Sequence, residues 1–167
     1  MAERKPAMSA VEVLREALLF AECSADELAR LATLVGDREL ADGELVFNQG
    51  DQARELMLVA AGEIHLEMPV AILGQSRSVR LDTKKRGEIV GWSALVPPYR
   101  YTLSARAGGA ATLATLPASD LAVLFDAEPL LGFRIMRRLA ALVAQRLELT
   151  RSLWVREIQR NLEERYR

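Results

Sequence analysis

The chain has 167 residues and a mass of 18.5 kDa, about the size of one domain. Half of its residues are apolar, 27% are charged and the formal net charge is −1, which excludes a globally basic nucleic-acid coat and an acidic disordered tail. One cysteine (Cys23) and one histidine (His65) exclude an internal disulfide and a Cys- or His-rich metal centre.

No run of 18 apolar residues offers a membrane span, and residues 1–6 lack the apolar stretch of a secretory leader. The expected compartment is therefore the reducing cytoplasm. Charge is unevenly placed. Residues 132–167 hold nine Arg and four Glu, a net of +5, and the first 131 residues carry −6. A basic C-terminal segment on an acidic body suits a solvated helix face, an acidic partner or intramolecular docking.

In chain order, residues 9–35 read as helix. Val13, Leu14, Ala17, Leu18 and Ala21 recur at helical spacing. Ser24 and Glu27 have the spacing of a capping box, with Leu28, Leu31, Ala32 and Val35 as the apolar face behind it. Gly36 is placed to end that helix in a left-handed conformation.

Residues 37–116 read as short strands between turn signals such as Asp42-Gly43, Gly50-Asp51, Gly74 and Arg86-Gly87. The strand candidates are 45–47, 56–59, 64–68, 79–81, 89–90, 101–104 and 111–116. Leu113 and Thr115 alternate with Thr112 and Ala114, as a half-buried antiparallel sheet requires.

From residue 118 the pattern returns to helix. A short helix reaches about Phe125, and Pro129 can start a second one. That second helix meets no further Gly or Pro after Gly132, so it can run about 35 residues, roughly 50 Å. Ile135, Leu139, Leu142, Arg146, Leu149 and Leu153 form a heptad-like seam, and Trp154, Ile158 and Leu162 continue a shifted stripe. The predicted architecture is α+β: an antiparallel β-roll or jelly roll flanked by N-terminal helices and a long C-terminal helix. Residues 9–130 form the expected ligand-binding body and 131–167 the dimerisation helix, the expected partner being a second copy of the chain.

The most informative segment is 86–107. Gly91 precedes a short helical turn, Pro97-Pro98 bends the chain, and Arg100, Tyr101 and Thr102 return. A glycine before a helical turn exposes backbone N–H groups to an anion, and a nearby Arg can pair with it. The candidate ligand-binding residues are Gly91, Trp92, Ser93, Ala94, Arg100, Tyr101 and Thr102, with Ser93 read first as an N-cap. His65 is read as a surface or hydrogen-bonded histidine and Cys23 as an inert, buried thiol. Glu63 and Glu67 share a strand face with His65, which suits charge solvation. No nucleophile–base pair, P-loop or metal spacing is present, so no enzyme activity and no cofactor are expected.

Across residues 11–150 the sequence resembles the cyclic-nucleotide-binding domain of catabolite-activator-type regulators and cyclic-nucleotide-dependent kinases. The resemblance is carried by 14–35, by the stretch from Gly43 to Asp51, by Glu55 to Ile64, and by Gly87-Glu88-Ile89-Val90-Gly91 with Ala94-Leu95. It implies a β-roll with a phosphate-binding cassette opening at Gly91. It also implies a Glu after that glycine, on the ribose, and an Arg further on, on the cyclic phosphate. This chain has Trp92 and Tyr101 at those positions, with Arg100 one residue early and Thr102 at a hydroxyl position used in some members. The expectation is a regulatory sensor with an altered pocket for a small planar or anionic ligand, which does not take cyclic nucleotides in the usual way. Two other readings stand beside it. One is a ligand-free dimerisation or docking platform. The other is the sensory half of a transcription regulator, whose DNA-binding domain has no counterpart before Arg167.

Overall fold

The computed structural model describes residues 9–165. Residues 1–6, read above for a leader, and the last two residues of the predicted dimerisation helix lie outside that range. Helix α1 (Ala10–Glu16) begins at a capping box in which Ser9 Oγ accepts from Glu12 N–H and the Glu12 carboxylate accepts from Ser9 N–H. The Ser24–Glu27 box opens α2 (Ala25–Ala32) in the same way. A short 3-10 turn, Leu18–Phe20, separates the two helices.

Gly36 does not end a helix. Helix α2 stops at Thr33, and Gly36 begins strand β1 (Gly36–Leu40), which the sequence reading missed. The other strands are β2 (Leu45–Phe47), β3 (Glu55–Ala61), β4 (Glu63–Ile72), β5 (Gln75–Lys85), β6 (Ile89–Val90), β7 (Ser104–Ala107) and β8 (Ala111–Pro117). They form two four-stranded antiparallel sheets, ordered β1-β8-β3-β6 and β2-β7-β4-β5. Helices α3 (Ala118–Ala127) and α4 (Pro129–Arg165) complete the chain. This is the predicted α+β roll with flanking helices and a long C-terminal helix. Among the described residues, no helix is long and apolar enough to cross a membrane.

The predicted half-buried alternation does not hold for the central strands. Leu56 and Leu58 of β3, with Ala114 and Leu116 of β8, face the helices, where they join Leu14, Phe20, Leu31, Leu121, Leu131 and Ile135. Met57, Val59 and Leu113 face the roll interior with Phe47, Ile64 and Ala105. Strand side chains alternate between faces, and here both faces are covered.

The first turns of α4 belong to this core. Leu131, Ile135 and Leu139 are buried and Leu142 is partly so, so the part of the predicted seam meant for a second copy packs on the chain's own body, and a boundary at 130/131 cuts through packed core. Four arginines of the basic segment dock intramolecularly. Arg134 pairs with Glu27, Arg137 pairs with Glu22, Arg138 Nε donates to Leu18 O (3.0 Å), and Arg146 reaches Asp82 (2.8 Å).

The Arg146–Asp82 pair ties α4 to strand β5. Burial pushes the Asp82 carboxyl up, but hydrogen bonding and charge from Lys84 (3.0 Å), with Arg146, hold it below the usual carboxylate range. A lowered carboxyl contributes stability above its unfolded pKa of about 3.9 and loses it as pH falls through the lowered value. Asp82→Asn is therefore expected to speed amide exchange several-fold in α4 around residues 142–150 at neutral pH, and acid below pH about 4 to do the same in the wild type. Unchanged exchange in the variant refutes the tether.

Candidate ligand pocket around Gly91 and Tyr101

Strand β6 delivers the chain to Gly91, whose left-handed backbone (φ 75°, ψ 25°) turns it into a 3-10 turn, Trp92–Leu95. Gly91 caps that turn and no side-chain cap is made, so Ser93 is not the N-cap expected of it. It lies buried inside the turn. In a 3-10 helix residues i and i+3 share a side. Trp92 and Leu95 accordingly pack on the helical cluster, and Ala94 packs on the roll cluster. Trp92, one of the candidate ligand-binding residues, thus packs on the helical side of the turn.

The segment 101–104 is not a strand throughout. Strand β7 starts at Ser104, and the preceding residues pair with the loop before β3 instead. Gly50 N–H donates to Tyr101 O (2.8 Å), Tyr101 N–H to Asp51 O (3.0 Å) and Ala53 N–H to Tyr99 O (2.8 Å). Arg100 is exposed and donates through one guanidinium nitrogen to Gly50 O (2.8 Å). Thr102 is exposed as well.

Tyr101 takes the interior position. Its ring stacks on Phe47, with centroids 3.6 Å apart and planes 12° from parallel, and its hydroxyl donates to Glu55 O (3.3 Å). Burial pushes its phenol up. A methyl group built on Gly91 would stand 3.1 Å from Tyr101 Cε1. The structure therefore brings together Gly91 and Tyr101, with Ser93 and Ala94 in the adjoining turn, and leaves Trp92, Arg100 and Thr102 facing elsewhere.

Beside the aromatic pair lies a cavity of about 390 Å³, lined in part by Arg38, Phe47, Asp51, Arg54, Glu55 and Tyr101. Arg38 is largely committed, since it donates to Val46 O and Leu45 O at 3.3 Å each. A sequence reading misses Phe47 because its partner Tyr101 lies 54 residues away, and misses Arg38 because its backbone partners, Leu45 and Val46 in the next strand, leave no side-chain signal. The apolar character of Phe47 was the one available signal. His65 is hydrogen-bonded, as read, with Nε2 at 2.8 Å from Glu63 Oε1.

The cyclic nucleotide-binding domain family matches residues 37–128, more than half of the chain. The N-terminal domain of a transcriptional regulator from Streptomyces coelicolor is 25% identical, with TM-score 0.69 over 80% of this chain and 93% of that one. The catabolite activator protein of Thermus thermophilus is 28% identical, with TM-score 0.67 over 80% of this chain and 60% of its own. Glutaminase 1 of Bradyrhizobium diazoefficiens is 34% identical over 134 residues, 80% of this chain. The chain spans 21% and 27% of the length of two curated relatives that it matches.

Proposed function

The chain belongs to the cyclic nucleotide-binding domain family, and on that premise we propose that it is a regulatory sensor module whose pocket has given up ribose–phosphate recognition. One observation carries the reading: the Tyr101 ring, stacked on Phe47 and pressed against Gly91, occupies the position where the resemblance calls for a phosphate-binding Arg. Arg100 does not replace that residue, because it is bound to the Gly50 carbonyl on the outside. Charge-assisted bonds of this kind contribute about 1.5–3 kcal/mol each. Losing both the ribose carboxylate and the phosphate guanidinium moves a micromolar site toward millimolar, since about 1.4 kcal/mol is tenfold.

The remaining pocket suits a small planar or anionic ligand resting on the Phe47–Tyr101 pair. The site residues assigned to it are Gly91, Ser93, Ala94 and Tyr101. No catalytic residue is assigned, and the chain acts in the cytoplasm on a downstream protein. Its alignment with about a fifth of a glutaminase fits a module that works beside an effector. The proposed homodimer uses the outward face of α4, which the chain's own body leaves exposed. The filled interior also favours a second reading, a docking platform that binds no small molecule.

Calorimetric and thermal-shift titration with cyclic AMP and cyclic GMP, beside AMP, GMP and aromatic acids, tests this. The expected result is no saturable response to the cyclic nucleotides below millimolar concentration. Micromolar, saturable binding of either one overturns the altered pocket. A response to an aromatic acid selects the sensor over the platform.

A further inference from the structure

A second cavity, of about 540 Å³, lies outside the roll between the 3-10 turn, α3 and α4. Its size falls within the range of small-molecule sites, about 300–1,000 Å³. The walls are apolar: Ala94 and Leu95 from the turn, Ala122 and Phe125 from α3, and Met136 from α4. Alanine at four lining positions, Ala53, Ala94, Ala118 and Ala122, keeps the space open, and a longer side chain at Ala122 would project into it. The polar end is different in kind. Gln52, Arg54 and Ser119 line this cavity and also the neighbouring one of about 390 Å³.

Arg54 is the charge at that end. It is exposed, and among the described residues no carboxylate lies within ion-pair distance of it. Among the described residues its guanidinium donates to Gln52 Oε1, at 3.5 Å. Gln52 accepts there, which leaves its amide N–H groups free to donate elsewhere. The Ser119 hydroxyl is already turned to Asp120 Oδ1 (3.1 Å). A single unpaired guanidinium with an amide beside it suits one planar monoanion, held by paired N–H donors. Asp51 and Glu55 line the adjoining cavity and oppose a more highly charged ligand such as a phosphate dianion.

We propose that this cleft binds an amphipathic monocarboxylate, an alkyl or aryl carboxylic acid, with its apolar body among Ala94, Ala122, Phe125 and Met136 and its carboxylate on Arg54. The cleft adjoins the cavity beside Tyr101 and shares Gln52, Arg54 and Ser119 with it, but its walls from α3 and α4 do not line that cavity, so it stands whether or not the roll interior binds a ligand. Because its walls come from the turn after Gly91 and from α4, an occupant bridges the two.

Octanoate is the probe, with octylamine as the charge-reversed control, and binding is followed by NMR shifts of the backbone amides. Octanoate is expected to saturate, with shifts centred on Ala94, Ala122 and Met136, and octylamine is not. Arg54→Gln is expected to weaken octanoate at least fivefold. Ala122→Phe is expected to abolish binding without changing the fold, since Ala122 is an exposed helix position. Failure of octanoate to saturate, equal binding of octylamine, or unchanged affinity in both variants overturns the proposal. None of these outcomes bears on the cyclic-nucleotide arms of the earlier titration, and an aromatic acid there counts for the roll pocket only where Ala122→Phe leaves its binding unchanged, because Ala122 lines this cleft and not the other cavity.

Discussion

Gly91→Ala should lower the melting temperature by roughly 4–20 °C, the shift expected for a loss of about 2–5 kcal/mol in a chain of this length. Two costs add. The residue sits at φ 75°, where a side chain costs about 1–2 kcal/mol. A Cβ there would also stand 2.9 Å from Glu55 O, 3.0 Å from Met57 Cε and 3.1 Å from Tyr101 Cε1. Met57 and Tyr101 can shift only by disturbing a packed interior, and the Glu55 carbonyl belongs to a central strand. Such overpacking costs about 1–3 kcal/mol. Gly43→Ala is the control: Gly43 has φ 73° but nothing within 4 Å of the added carbon. It should cost only the backbone part. Equal losses in the two variants would refute the close approach of the turn to Tyr101, and with it the filled-pocket reading.

Local signals in the sequence located most of the fold. The Ser24–Glu27 box depends on a three-residue spacing alone, and it formed as read. Gly74 was legible as a turn, and it sits with Leu73 (φ 51°) at φ 77° between β4 and β5, but the two strands run well beyond the predicted 64–68 and 79–81. Strand β1 was not legible, because Gly-Asp-Arg-Glu-Leu has no apolar alternation. It is an edge strand, held by pairing to β8 from Gly36 opposite Thr115 to Leu40 opposite Ala111. Tyr101 and Leu103 look like strand residues by propensity, but their segment finds its partners in the 50–53 loop, a long-range pairing invisible to periodicity. The site was half legible for a similar reason. The family resemblance marks Trp92 and Tyr101 as aromatic replacements, but only the phase of a four-residue turn decides that Trp92 faces helices and Ala94 faces the roll. The seam of α4 was visible as a stripe, and what covers it was not: the body takes Ile135 and Leu139, and leaves Leu149 exposed.

That division of the helix gives the second large effect. The double variant Trp154→Glu, Ile158→Glu should sediment as a monomer of 18.5 kDa under conditions where the wild type sediments at twice that mass. The stripe facing away from the body differs from the predicted heptad-like seam and runs into the predicted shifted stripe at Trp154 and Ile158. Phe133, Arg137, Ala140, Ala144, Leu147, Arg151, Trp154 and Ile158 follow one another at alternating spacings of four and three, and all are exposed. Trp154 is 70% exposed and Leu147 66%, in a helix that extends well past its last buried turn. Alanines toward the body let two helices approach, and the large side chains beyond supply the buried area, the pattern of a coiled-coil seam. Full burial of such a side chain contributes about 1.5–3 kcal/mol. A symmetric pair loses four of them in the double variant, which amounts to more than four orders of magnitude in dissociation constant at about 1.4 kcal/mol per tenfold. Leu139→Glu should instead unfold the domain, because Leu139 is 2% exposed in the helical core. A wild type that sediments as a monomer at tens of micromolar would remove the dimer from the proposed function and leave α4 to a different partner.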